Sequence, residues 1–144
     1  MEGNIRTVSG VEHRFDYRHS VFKEMHNTCI LRTTLELTCG DRDIIRGTMD
    51  DLMQRRRDKQ PLEYPSAGSV FKRPPGLFAG KLIEDCGLKG YTIGGAQVSE
   101  KHAGFIINRG GATADDVKRL IEHIKETVWN AFRVELVCEI EMIS

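Results

Sequence analysis

Apolar residues recur along this chain in two rhythms. At Leu31, Thr33, Leu35 and Leu37 they alternate with Arg32, Thr34 and Glu36, the period of two that turns one face of a strand to a core and the other to water. Residues 29 to 37 are therefore expected to form a strand. The alternation returns near the end, where Val134, Leu136, Cys138, Ile140 and Met142 are interleaved with Glu135, Val137, Glu139, Glu141 and Ile143. That pattern predicts a strand whose second face carries three carboxylates.

Between these segments the rhythm becomes helical. Asp41 is placed as an N-cap, and Ile44, Ile45, Met49, Leu52 and Met53 follow at helical spacing until Pro61 forbids continuation, giving a helix of about five turns. Val117, Leu120, Ile121, Ile124, Val128 and Phe132 share one face of the clearest helix. Thr113 opens it with Asp116 three residues on, the spacing of a capping box. Residues 78 to 86 predict a short helix closed by Gly87, with Leu82 and Ile83 inward. Brief strands are expected at 91 to 93, 96 to 98 and 105 to 108, separated by Gly94-Gly95, the polar run SEKHAG and, after the last, Gly110-Gly111. Residues 5 to 22 carry no helical period and read as short extended pieces and loops. This order predicts an α+β fold: a small mixed or antiparallel sheet packed with two long helices and one short one.

A chain of 144 residues with 40% hydrophobic content suits one ordinary domain. Lysine plus arginine equal aspartate plus glutamate, 21 each, so no overall field argues for nucleic acid or a membrane surface as partner. Any anion site must be local. The cysteines at 29, 39, 86 and 138 form no C-x-x-C; they read as cytosolic thiols rather than as a zinc or redox motif. No apolar run resembles a secretory signal or a membrane span, so the expectation is a soluble cytoplasmic protein. The five histidines lack ligand spacing, and no metal site is expected.

Candidate chemistry concentrates in YPSAGSVFKRP, residues 64 to 74. Ser69 stands outside any G-x-S-x-G motif, and its plain reading is a turn or strand-entry serine. Gly68 admits a close backbone approach, Lys72 and Arg73 supply cations, and Gly94-Gly95 with Gly110-Gly111 offer bare backbone to anionic or planar groups. That set suits a phosphorylated or carboxylated substrate. Arg55, Arg56, Arg57 and Lys59 read first as complements of a helix dipole and second as a phosphate patch. Glu139 and Arg18, taken alone, read as surface charges. Residue chemistry by itself reaches a small-molecule-binding α+β domain.

Four segments carry a resemblance to a known family: FDYRHSVFK (15 to 23), KQPLEYPSAGSVFKRP (59 to 74), AGKLIEDCGLKGYTIGGAQVSEKHAGFIINRGGATADDV (79 to 117) and VELVCEIEMI (134 to 143). Together they are similar to UDP-N-acetylenolpyruvoylglucosamine reductases, flavoenzymes of peptidoglycan precursor synthesis. The resemblance implies FAD and NADPH as cofactors of the full-length enzyme and UDP-N-acetylglucosamine enolpyruvate as substrate, reduced to UDP-N-acetylmuramate. It further implies catalytic roles for Ser69 as proton donor, Arg18 as a fork on the substrate carboxylate, and Glu139 as its second polarising group. Tyr17, Lys59, Gly68, Lys72, Arg73, Gln97, Ser99 and His102 fall on substrate-binding positions. Asp16, Arg73, Cys138 and Glu141 depart from residues common in the family, and the short span between Arg18 and Ser69 resembles its type without a tyrosine loop.

The resemblance also divides the chain. Residues 1 to 37 would be the end of a flavin lobe, 38 to 134 the substrate domain, and 135 to 144 the terminal strand bearing Glu139. Residues 1 to 60 hold none of the family's glycine-rich flavin loops. The expectation is the last half of the enzyme, supplying substrate binding and the proton donor, with no FAD bound, no turnover alone, and self-association through apolar surface left without its flavin lobe. The alternative is a non-catalytic UDP-sugar-binding module derived from the reductase.

Overall fold

Asp41 begins helix α1 (Arg42–Lys59) by accepting the N–H groups of Asp43 and Ile44 on its side-chain oxygen, both at 3.0 Å. The helix ends where the Gln60 N–H closes on the Arg56 carbonyl at 2.8 Å, one residue before Pro61. Arg56, Arg57 and Lys59 occupy its last turn, where their charge complements the helix dipole. The inward face expected of α1 is not found: no residue of it is buried, and Ile44 is 71% exposed. The structure is a computed structural model, and it describes residues 4–142. It divides into two compact units, Met1–Cys39 and Gly40–Ser144.

In the larger unit four strands, β1 (Ser66–Ser69), β2 (Thr92–Ile93), β3 (Ala96–Val98) and β4 (Phe105–Asn108), form one sheet in the order β1-β4-β3-β2. All three pairings are antiparallel. Gln97 lies opposite both Thr92 and Ile107, and Val98 opposite Ile106. Between β1 and β4 the register slips: Ser66 faces Ile107 and Ser69 faces Phe105, with Gly68 at φ 85° inside the irregular stretch. Only glycine takes that backbone angle without strain.

Helix α2 (Ala79–Asp85) buries Ala79, Leu82 and Ile83, and Gly87, at φ 70°, ends it. Helix α3 (Ala114–Phe132) has the capping box in full: Asp116 N–H donates to Thr113 Oγ1 at 3.1 Å, and Thr113 N–H donates to Asp116 Oδ2 at 2.9 Å. Its buried stripe of Leu120, Ile121, Ile124 and Val128 meets Leu82, Ile83, Val98, Ile106 and Leu136 in a single core. Each such side chain contributes roughly 1.5–3 kcal/mol on burial.

Two expected strands differ in the structure. Residues 134 to 142 keep the expected facing, with Leu136 buried and Val134, Cys138 and Ile140 packed against the core, but pair only through an isolated bridge, Phe71 to Cys138. The bonds around it are Lys72 N–H to Val137 carbonyl and Glu139 N–H to Val70 carbonyl, both 2.8 Å. The partner segment runs into Pro74 and Pro75, which have no N–H to extend a ladder. Residues 29 to 37 form no strand at all and lie exposed. Their alternation favours a face, yet among the described residues none supplies a ladder for their backbone. In the smaller unit the order instead comes from a tight turn bridging Asp16 and His19 and a single 3-10 turn, Val21–Lys23. No helix among the described residues is long and apolar enough to cross a membrane.

Candidate active site around Ser69

Ser69 is the exposed last residue of β1, held opposite Phe105 just past the bulge at Gly68. The next residue, Val70, is buried; its N–H donates to the Gly104 carbonyl at 2.9 Å, and its carbonyl accepts the Glu139 N–H. Ser69 thus sits where three segments meet: the end of β1, the loop before β4, and the returning C-terminal segment.

The loop sets a histidine beside the glycine that Ser69 also neighbours. A methyl group built on Gly104 would stand 3.0 and 3.2 Å from Cε1 and Nδ1 of His102 and 3.5 Å from Ser69 Oγ, so the imidazole and the hydroxyl flank one bare Cα. Gly104 N–H donates to His102 Nδ1 at 3.1 Å. In the neutral ring that bond leaves the proton on Nε2. Edge-on contact with Phe105, at 5.0 Å between ring centroids, fixes the ring further. Beneath it Ser99, 1% exposed, accepts the N–H groups of Lys101 and His102 on Oγ, both at 3.2 Å. Ser99 therefore shapes the loop from below.

The other expected site residues divide. Lys72 is half-buried and its N–H is bonded to Val137; Glu139 is half-buried beside Val70. These two join Ser69, Gly68 and His102 in one neighbourhood. Gln97 turns its amide to the Gly90 carbonyl and Thr92 Oγ1, each at 3.1 Å, and so ties the β2 entry to β3. Arg73 stacks on Phe78 with its guanidinium carbon 3.9 Å from the ring centroid, and donates Nε–H to the Leu77 carbonyl. Lys59 lies exposed at the end of α1. Tyr17 and Arg18 belong to the smaller unit, at the tip of the Asp16–His19 turn, where Arg18 takes φ 55°. That angle is costly for a residue with a side chain and concentrates at functional turns.

The glycine pairs depart from expectation. A methyl on Gly94 would lie 2.2 Å from Asp116 Oδ1, and one on Gly95 would lie 2.4 Å from the Ala112 nitrogen. Gly110 and Ala112 N–H groups are both taken by Asn108 Oδ1. At Gly94-Gly95 the backbone is bare so that α3 can approach the sheet, and the anion it meets is the chain's own Asp116. Bonds from the Thr113 backbone and hydroxyl, then from Gly95, hold that carboxyl below the usual aspartate range. The Gly94-Gly95 turn, filled in this way, does not fit a flavin pyrophosphate. Among the described residues no cluster of three histidine, cysteine or acidic groups could hold a metal ion.

Periodicity gave no sign of two contacts. Gly104 separates Ser69 from His102, and a glycine just before a strand that pairs with AGS was its only trace. At the β1–β4 edge Arg109 stacks on Tyr64, 4.7 Å from the ring centroid, and donates to its hydroxyl.

The C-terminal domain of UDP-N-acetylenolpyruvoylglucosamine reductase, as a family, matches residues 60–143. The UDP-N-acetylenolpyruvoylglucosamine reductase of Caldanaerobacter subterraneus subsp. tengcongensis is 55% identical over 141 residues, covering 98% of this chain and 46% of that protein. That of Clostridium perfringens strain SM101 is 52% identical over 141 residues, with the same coverage of 98% and 46%. The crystal structure of UDP-N-acetylenolpyruvylglucosamine reductase from Thermus caldophilus superposes with a TM-score of 0.62 at 35% identity, over 74% of this chain and 37% of that one. The chain spans about half the length of the curated relatives it matches.

Proposed function

The chain belongs to the UDP-N-acetylenolpyruvoylglucosamine reductase family, and from that premise we propose that it is the part of such an oxidoreductase that holds the UDP-sugar enolpyruvate and returns a proton to it. The observation that carries this is the placement of Ser69: exposed at a bulged strand end, facing His102 across Gly104, with Glu139 bonded to its neighbour Val70. The process served is peptidoglycan precursor synthesis in the cytoplasm. Hydride chemistry is assigned to FAD and NADPH in the full-length enzyme. Residues 1 to 37, 38 to 134 and 135 to 144 are proposed as flavin-lobe end, substrate domain and terminal catalytic segment.

Reduction of the methylene carbon leaves carbanionic, enolate-like charge on the carbon next to the carboxylate. The Ser69 O–H bond then breaks as the new C–H bond forms, and the serine is left as alkoxide. A neutral serine is a weak acid, so positive charge and hydrogen-bond donors close to Oγ must favour the alkoxide; Lys72 and His102 are the groups proposed for that. Arg18 is proposed to fork onto the substrate carboxylate as it takes on charge, and Glu139, protonated or hydrogen-bonded, to polarise the same group. Tyr17, Lys59 and Arg73 are proposed contacts to the rest of the substrate.

Ser69→Ala in a full-length reductase containing this sequence tests the assignment. Enolpyruvyl reduction should fall by about 10²–10⁴-fold, the usual worth of a general acid, while flavin reduction by NADPH keeps its rate. Equal losses in both half-reactions would remove Ser69 from the proton-donor role.

A further inference from the structure

Among the described residues, three of the four non-glycine residues with positive φ fall in one short stretch: Arg14 at 48°, Arg18 at 55° and Asn27 at 61°. Left-handed backbone at such residues persists only when surrounding contacts over-determine it. The turn carrying Arg18 is closed by reciprocal backbone bonds, Asp16 N–H to the His19 carbonyl at 3.2 Å and His19 N–H to the Asp16 carbonyl at 3.0 Å. Asp16 Oδ1 accepts the Tyr17 N–H at 2.7 Å inside it.

One carboxylate ties this turn to the strained residue before it. Glu24 Oε2 accepts from Arg14 Nη2 at 2.7 Å, and Glu24 Oε1 meets His19 Nε2 at 3.1 Å. On the backbone side Val21 N–H donates to the His13 carbonyl at 2.8 Å, and the His13 ring stacks on Phe15, with 4.7 Å between centroids and 8° between planes. Each surface ion pair alone is worth little. Here both oxygens of one side chain are engaged by two different turns, and Arg14 and Arg18, two of the three strained residues, belong to those turns.

We propose, on the basis of the role given to Arg18 above, that Glu24 is a positioning residue: through His19 and Arg14 it holds the Asp16–His19 turn so that Arg18 is presented in one geometry to the substrate carboxylate. Misplacing such a group by an ångström costs up to about 100-fold. In a full-length reductase containing this sequence, Glu24→Ala should lower kcat for enolpyruvyl reduction roughly tenfold or more on the same grounds, with flavin reduction by NADPH unchanged. Glu24→Gln, which keeps one acceptor oxygen, should fall between, and also serves if Glu24→Ala folds poorly.

A double-mutant cycle separates the two ideas. If Glu24 acts through Arg18, Glu24→Ala adds no further loss on top of Arg18→Ala. Full activity of Arg18→Ala would sink the role of Arg18 itself. A slow Arg18→Ala with a normal Glu24→Ala, or with independent losses, would sink the positioning role alone. In this chain by itself, the His19 amide proton should exchange faster in Glu24→Ala; unchanged exchange there would also overturn it.

Discussion

Helices α1 and α3 are nearly equal in length, 18 and 19 residues, and each starts from a side-chain cap. Length and side-chain capping are matched, although α1 is the more polar and the less clearly two-faced of the pair, and the outcomes are opposite. Four residues of α3 are buried and none of α1. Capping and helix-forming residues decide where a helix begins and ends, whereas burial depends on what the rest of the chain brings to its face. Ile44, Met49 and Leu52 line one side of α1 as Leu120, Ile124 and Val128 line α3, but the first set stays more than half exposed.

The largest test of this contrast is truncation on each helix. Leu120→Ala should cost about 2–5 kcal/mol in a urea melt of this chain, because its cavity lies inside the core. Leu52→Ala should shift the same melt by less than about 0.5 kcal/mol. Similar losses at both sites would mean that α1 has a packed face after all.

A smaller effect sharpens the same point with glycines. Gly95→Ala forces a methyl against the Ala112 backbone and should cost about 1–3 kcal/mol. Gly47, within α1, has nothing within 4 Å of an added methyl. Gly47→Ala should raise the helicity of α1 by circular dichroism, with a local gain of about 0.5–1 kcal/mol, and leave the global midpoint where it was. A lowered midpoint for Gly47→Ala would reveal a neighbour over that face.

The smallest effect concerns acid. The folded state holds the Asp116 carboxyl below its ordinary range, so its ionised form stabilises the fold above the unfolded-state value, and this contribution is lost as pH falls through the folded value. Below about pH 4, the ordinary aspartate range, the gap in thermal midpoint between the natural chain and Asp116→Asn should narrow. A gap constant down to pH 2 would show that the charge is not what matters.

These differences mark what could be read from the chain alone. The capping box of α3 was legible to the residue because Thr113 and Asp116 are three apart, and its stripe because period and burial agreed. The existence and cap of α1 were legible for the same local reason; its exposure was not, since a period states a preference and names no partner. Residues 29 to 37 failed likewise, because a strand is completed only by another segment's N–H and C=O groups. At the site, Ser69 and its cations could be picked out by type. That it shares the neighbour Gly104 with His102 could not, because the strand and the loop are far apart in sequence. What fills the Gly94-Gly95 turn, Asp116, could not be read either, because it lies on a different element.

That occupant also sets an order of events in folding. The Thr113–Asp116 box can close as soon as the first turn of α3 winds, on the timescale of local helix formation, but the face of Asp116 that fills Gly94 needs the β2–β3 turn already made. The helix can start alone and cannot finish docking alone. Its first turn is thereby coupled to the hairpin: the carboxylate fits only where the β2–β3 turn carries no side chain at Gly94.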